Sequence, residues 1–404
     1  MYDVIVSGAR CAGAPSAMLL ARKGYKVLLV DRAGFPSDIP HGHFIHRQGP
    51  QRLARWGLLD RIRKAGCPPI SAFATDYGDG LLTGHELSVD GVPVGCAPRR
   101  WALDTVLAEA AVEAGAELRV GYSVQAYVGD GERITGITGR AVGGFASCTD
   151  LARVTVGADG RNSKLAATVR AKVYQTSPAL TCWYFSYWSG VGATGLELHL
   201  RGDSVIFVFP TNEGLTAVFV AWAAQHFPLV RQDVEAHFMT VVDQVPDLSG
   251  RVRAGRREER FFGASDLPNF LREPYGPGWA LVGDAGCHKD PFLALGICDA
   301  LRDAELLAEA LDDGLSGRRP MNLALADYER RRNEATTADY QLNLHLARFR
   351  PLPPEALLVR AAVRGDPEAT AQYYLMNQGF LTRERFMGSE KIQRLVAQAS
   401  SSAA

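Results

Sequence analysis

Gly8 and Gly13 frame the run Gly8-Ala9-Arg10-Cys11-Ala12-Gly13, and Asp31 stands 23 positions after Gly8. Glycines at the two ends of such a loop permit a tight turn and close helix–strand packing. The helix that follows attracts an anion at its start, and an acid at the end of the next strand can accept a ribose hydroxyl. This is the chemistry of holding a dinucleotide by its pyrophosphate. Arg10 takes the place of the usual middle glycine, which costs a close backbone approach, but its guanidinium can reach anionic oxygens or an adenine face. Two later segments, "GADGRNS" with Asp159 and Gly160 and "GDAGCHKDPFLALG" with Gly283 and Asp284, place acids in glycine-rich turns.

These residues need elements to position them. Tyr2–Ser7 is a short β-branched run, Ala14–Arg22 has apolar residues at helical spacing with Gly24 as a stop, and Lys26–Val30 reads as a second strand ending at Asp31. That βαβ start predicts a parallel sheet covered on both faces. Arg100–Ala114 predicts an amphipathic helix, and "WALVGDAG" a buried strand before a helix over residues 297–311. Leu196–Leu200, Ser204–Pro210 and Leu215–Trp222, separated by "RGD" and "TNEG", predict antiparallel hairpins. The expectation is a discontinuous nucleotide lobe (residues 1–70, 98–170 and 273–345), a β-rich lobe (71–97 and 171–272) and a C-terminal helical segment (346–404) with a frayed tail.

The formal net charge is zero, so no single-signed field draws in nucleic acid or an anionic membrane. The seven cysteines include no C-x-x-C pair and read as reduced thiols. No apolar run approaches the roughly 20 residues of a membrane span, and the first strand starts at Tyr2; a cytoplasmic protein without a signal peptide is expected. The partner expected is a small molecule. "HGHFIH" (His41, His43, His46) lacks a nearby carboxylate or thiolate set, so no metal is expected.

Taken in order, "GARCAG", "VDR", "RWALD", "GADGRNS" and "LVGDAGCHKDPFLALG" resemble the FAD-dependent group A (aromatic-hydroxylase-like) monooxygenase superfamily over residues 1–310. Its relatives include geranylgeranyl-reductase-like enzymes and flavin halogenases. The resemblance implies an α/β fold: a Rossmann-like, GR2-type FAD lobe with an inserted antiparallel β-sheet substrate lobe and C-terminal helices. It makes Gly8, Arg10, Cys11, Ala12 and Gly13 the pyrophosphate loop and Asp31 the ribose ligand, with Arg32 beside it. Arg47 in "HRQGP" corresponds to an arginine near the flavin and the incoming nicotinamide, and Arg100 to a contact with the cofactor's phosphate region. Val124 falls at a backbone contact to adenine, and Asp159 with Gly160 matches the motif that shapes the cofactor and nicotinamide clefts. Gly283 and Asp284 match the ribityl site and Pro291 the isoalloxazine lining. Gly296 and Ile297 match amides facing the flavin pyrimidine ring, where a helix start stabilises the negative charge of reduced flavin.

In "CWYFSYW" the period-two alternation places Trp183, Phe185 and Tyr187 on one face and Tyr184 and Trp188 on the other. Trp183, Phe185, Phe207, Phe209 and Leu293 are the candidates for a substrate cavity, with core packing an equal alternative for the strand aromatics. The function implied is an NAD(P)H- and O2-dependent monooxygenase acting through a C4a-hydroperoxyflavin on a hydrophobic, aromatic or polycyclic substrate. The alternative is an isoprenoid-type alkene reductase. A halogenase is less favoured: Phe207 and Phe209 replace the tryptophans of the halogenase W-x-W-x-I-P pattern, and Lys64 is the sole lysine between residues 60 and 100. A non-catalytic flavin-binding protein is the remaining alternative.

Overall fold

Val4, Ile5, Val6, Leu28 and Leu29 are fully buried, as strands covered by helices on both faces require. Tyr2–Ser7 lies between Val27–Val30 and Ser147–Gly157, parallel to both. Glu117–Arg119 extends the parallel sheet at one side and Trp279–Leu281 at the other. Beyond Ser147–Gly157 the sheet turns antiparallel through Ile134–Ala141 and Tyr122–Gly129. The helix Gly13–Arg22 packs against Arg100–Glu113 and Gly296–Leu315. The computed structural model describes residues 1–403, and these elements form one of its two compact units, Met1–His43, Arg99–Pro178 and Pro268–Asn343.

The register decides where the motifs meet. Ser7 stands opposite Val30 and Gly157, and Gly157 opposite Leu281. Four parallel strands therefore end level, and the glycine loop, Asp31, Asp159-Gly160 and Gly283-Asp284 emerge at one carboxyl edge. In open α/β sheets ligands bind at that edge.

The second unit comprises Phe44–Pro98, Ala179–Leu267 and Leu344–Ala404. Its sheet runs Thr181–Ser189, Thr216–Ala223, Ser204–Pro210, Leu196–Arg201, Phe73–Asp76 and Leu82–Gly84, antiparallel except where Leu196–Arg201 meets Phe73–Asp76. The hairpins expected at "RGD" and "TNEG" are present, with Arg201 opposite Ser204 and Pro210 opposite Thr216. One sheet face, bearing Trp188, Ile206, Val208, Val220 and Trp222, is covered by the helices Val234–Val242 and Pro246–Ala254 through Phe238, Val242 and Leu248. These helices lie within a stretch expected to be β-rich.

Residues 44–70, expected with the nucleotide lobe, cluster with the second unit, because Pro69–Ile70 pairs with Gly95–Cys96 and Ile45 bridges to Cys96. Residues 344–403 join it as well. The tail expected to fray continues the helix Glu390–Ala403, whose Ser400 and Ser401 hydroxyls donate to carbonyls four residues back; Ala404 lies outside the described residues. Among the described residues no helix is long and apolar enough to cross a membrane.

Candidate functional site, a dinucleotide cleft

At the carboxyl edge the backbone comes first. Gly8 has φ 105°, and a Cβ there would lie 2.3 Å from the Ala158 carbonyl oxygen, so the first loop nests against the third. Gly283 (φ 62°) packs on Ala12, where a Cβ would approach to 2.7 Å of the Ala12 methyl. Asp31 braces this arrangement: the amides of Ala9 and Ala33 each donate to its carboxylate at 2.8 Å. Both oxygens retain a lone pair for a ribose hydroxyl. Arg32 beside it is exposed.

The helix Gly13–Arg22 begins without a side-chain cap and without an acid in its first turn, which leaves positive potential at its start. Cations reinforce it. Arg10 donates to Asp104 at 2.6 Å and to Ser37 at 3.0 Å, with the Phe35 ring 5.5 Å away, and Arg100 donates to both Asp104 oxygens at 2.9 and 3.0 Å. Asp104 is completely buried. Arg10 is thus oriented by a carboxylate, which the sequence reading of the loop did not foresee. Cys11 points its thiol at the same carboxylate (3.5 Å), and burial pushes it up to about 12. His41 is crowded toward about 4 by desolvation and by Arg100, Arg161 and Arg10, so it is neutral at physiological pH. His46 instead pairs with Gln378 in the second unit. Among the described residues no group of three or more His, Cys, Asp or Glu could hold a metal.

Asp159 accepts from the Lys164 amide at 2.8 Å, beside Ser163, which caps the short helix Lys164–Thr168; Gly160 follows Asp159 with φ 77°. The Lys164 ammonium donates to the carbonyls of Val124 (3.1 Å) and Gln125 (2.7 Å). Asp284 differs from the other acids: no described residue hydrogen-bonds its carboxyl, and burial raises its pKa against the opposing charges of His288, Arg100 and Arg161. Asp284 is half-buried, and a carboxyl that lacks a protein donor gains from a ligand that supplies one. Ribityl hydroxyls are such donors.

The segment 287–296 is held from several sides. His288 donates to the Pro268 carbonyl, the Asp290 amide donates to Asn269 (2.7 Å), and the Asp290 carboxylate accepts from the Phe292 amide. Asn343 donates to the Asp290 carbonyl (2.8 Å) and accepts from the Leu293 amide (3.0 Å). Pro291 and half-buried Leu293 lie in this turn, and Ala294 takes a left-handed conformation (φ 51°). Gly296 and Ile297 then open a 20-residue helix with no side-chain cap. The acid in its first turn, Asp299, is neutralised by Lys289 and by Arg302 at 2.7 Å, so the helix start keeps its positive potential.

Arg47, Trp183, Phe185, Phe207 and Phe209 belong to the second unit. Arg47 has φ 51°, and its amide donates to the Gln378 Oε1 (3.0 Å) that also meets His46 Nδ1 (2.9 Å). Trp183 lies 5.7 Å from Phe207, Phe185 stacks on Phe219 at 4.2 Å, and Phe209 stacks on Phe219 at 5.4 Å. The Trp183 indole is satisfied by Thr181. Asp104, Asn269, Asn343 and Gln378, which hold the expected site residues in place, were not among them. Only Asp104 had a local signal, as the acid of "RWALD".

Replacing Asp284 by alanine is expected to weaken cofactor retention roughly 10- to 100-fold, the worth of about 1.5–3 kcal/mol of hydrogen bonding to a charged group. The ratio of visible to protein absorbance after purification measures it. Undiminished occupancy would remove Asp284 from the ligand set.

The uncapped helix start flanked by arginines suits a diphosphate, and the donorless Asp284 suits a polyhydroxyl chain; together they fit FAD. Residues 1–341 match the FAD binding domain family. The digeranylgeranylglycerophospholipid reductase of Methanocella arvoryzae is 25% identical over 347 residues, 83% of each chain. Among solved structures, the myxobacterial chondrochloren halogenase CndH superposes with a TM-score of 0.78 at 20% identity, covering 98% of this chain and 96% of that one. PqsL of Pseudomonas aeruginosa in complex with 2-aminobenzoylacetate gives a TM-score of 0.74 at 20% identity, covering 92% and 99%. This chain belongs to the FAD binding domain family and is a flavoprotein oxidoreductase of the group A superfamily, with FAD as its cofactor.

Proposed function

We propose that this flavoprotein is a single-component monooxygenase in which NAD(P)H reduces the flavin. One atom of O2 enters a hydrophobic, aromatic or polycyclic small molecule and the other leaves as water. The observation that carries this reading is the aromatic face of the second unit. Trp183 and Phe207 lie 5.7 Å apart by ring centroid, Phe185 and Phe219 4.2 Å, and Phe209 and Phe219 5.4 Å, on neighbouring strands of this sheet. Such a face recognises a planar ring by stacking and excludes water.

Bound flavin supplies the two-electron chemistry and the activation of oxygen. The start of the Gly13–Arg22 helix would hold the diphosphate, and Asp284 would accept hydrogen bonds from the ribityl hydroxyls. The helix start at Gly296 would stabilise negative charge on the reduced ring. No acid–base triad is required of the protein.

The likeness to the Methanocella arvoryzae enzyme favours a second reading, flavin-dependent reduction of an alkene. Turnover of the purified holoprotein with NADPH in air, over a panel of polycyclic aromatics and isoprenoids, separates the two. The expected result is substrate-dependent oxygen uptake and a product heavier by one oxygen atom. A product heavier by two hydrogens, formed without oxygen uptake, would replace the first reading by the second.

A further inference from the structure

The charges in the dinucleotide cleft do not balance a diphosphate by Arg10 and Arg100 alone. Both bond the single buried carboxylate of Asp104, so the three together carry one net positive charge. His41 adds none at neutral pH. The diphosphate of FAD carries two negative charges, and the helix start supplies only about half a charge.

Arg161 directly follows the left-handed turn at Gly160, on the loop that the sheet register places beside Gly283-Asp284. Its side chain is half-buried, its Nε is buried without a hydrogen-bond partner, and no described acid pairs with its guanidinium. Arg272 ties down the backbone here, donating to the Arg161 carbonyl at 3.4 Å. The Arg161 charge bears on both Asp284 and His41, which places it in the same field as the cofactor cleft. A half-buried guanidinium held without a counter-ion loses hydration with no return in the protein alone, and a bound phosphate would provide that return.

We infer that Arg161 is a cofactor-binding residue, supplying the second positive charge to the FAD diphosphate. Arg161 also borders a groove of roughly 480 Å³ lined by Asn162, Arg170 and Arg272, where a transient dinucleotide could claim it instead. The two roles are separable by experiment.

FAD release from the diluted holoenzyme, followed by recovery of flavin fluorescence, reads the first role directly. Arg161→Gln is expected to raise the FAD dissociation constant roughly 10- to 100-fold and to flatten its dependence on salt. Arg161→Lys, which keeps the charge, should retain the salt dependence of the parent and most of its affinity. An FAD dissociation constant within about threefold of the parent for Arg161→Gln would overturn the inference, whether or not the KM for NAD(P)H rises. A weakened affinity with the parent's salt dependence intact would overturn it too, because loss of a charge contact must change that slope. If Arg161→Gln lowers the unfolding midpoint, Arg161→Lys decides: loss of the salt dependence in a folded lysine variant would also overturn the inference.

Discussion

Asp104→Ala is expected to yield protein that has lost most of its flavin and about 3–5 kcal/mol of stability, the cost of stripping the partner from a buried ion pair. The carboxylate is fully buried and satisfies Arg10, Arg100 and the Cys11 thiol at once. Without it, two guanidinium groups lie close together with no counter-charge, and the one on the glycine loop loses its orientation. Arg10 keeps only Ser37 and the Phe35 ring. Asp104→Asn, which retains an acceptor and the shape but not the charge, should fall between the parent and Asp104→Ala. Thermal unfolding and visible absorbance together make the check: an unchanged midpoint with full flavin content in Asp104→Ala would show that the triad does not organise the loop.

The second large effect lies at Arg360. Its side chain is completely buried, yet it is charged, donating to Asp79 at 2.7 and 3.0 Å and to the Thr75 hydroxyl and carbonyl at 2.9 Å, with the Tyr77 ring 4.8 Å away. Tyr374 adds bonds to Thr75 (2.9 Å) and to the Leu82 carbonyl (2.6 Å). These contacts fasten the helices Pro354–Val363 and Pro367–Asn377 to the Phe73–Asp76 and Leu82–Gly84 hairpin. Arg360→Ala is expected to cost about 3–5 kcal/mol, because Asp79 keeps only the longer bond from Arg364 and its neighbouring backbone. Limited proteolysis should then cut first within the C-terminal helices; a cleavage pattern and midpoint like the parent's would refute the clasp. Burial raises the Asp79 carboxyl, but Arg360 outweighs it and holds the pKa below the ordinary value. The clasp therefore persists through mild acid and weakens only as pH falls through that lowered pKa.

What could be read from the sequence follows sequence distance. The glycine loop, its flanking strands and Asp31 span fewer than 35 residues, and their pattern is a local consequence of a strand, a tight turn and a helix start. Period-two alternation assigned Trp183 and Phe185 to one face and Trp188 to the other, and the helices over Trp188 bear out the division. Asp104 apart, the positioning residues carry no local signal, and even Asp104 gives no local sign of its partner. Asp104 meets Arg10 across 94 positions, Gln378 meets His46 across 332, and Arg360 meets Asp79 across 281. An asparagine such as Asn343 in a long polar helix looks like any exposed residue until the loop it grips is folded against it. The helices Val234–Val242 and Pro246–Ala254 stand in a stretch expected to be β-rich, with Asp233 capping the first and Pro246 opening the second.

Reduced flavin releases hydrogen peroxide in air, and Cys11 stands in the loop expected to hold the cofactor's diphosphate. Peroxide attacks the thiolate. Burial pushes Cys11 up to about 12, so its thiol stays protonated at neutral pH. The burial that packs this loop into the fold thus also leaves its thiol chemically quiet, with the Asp104 carboxylate acting in the same direction.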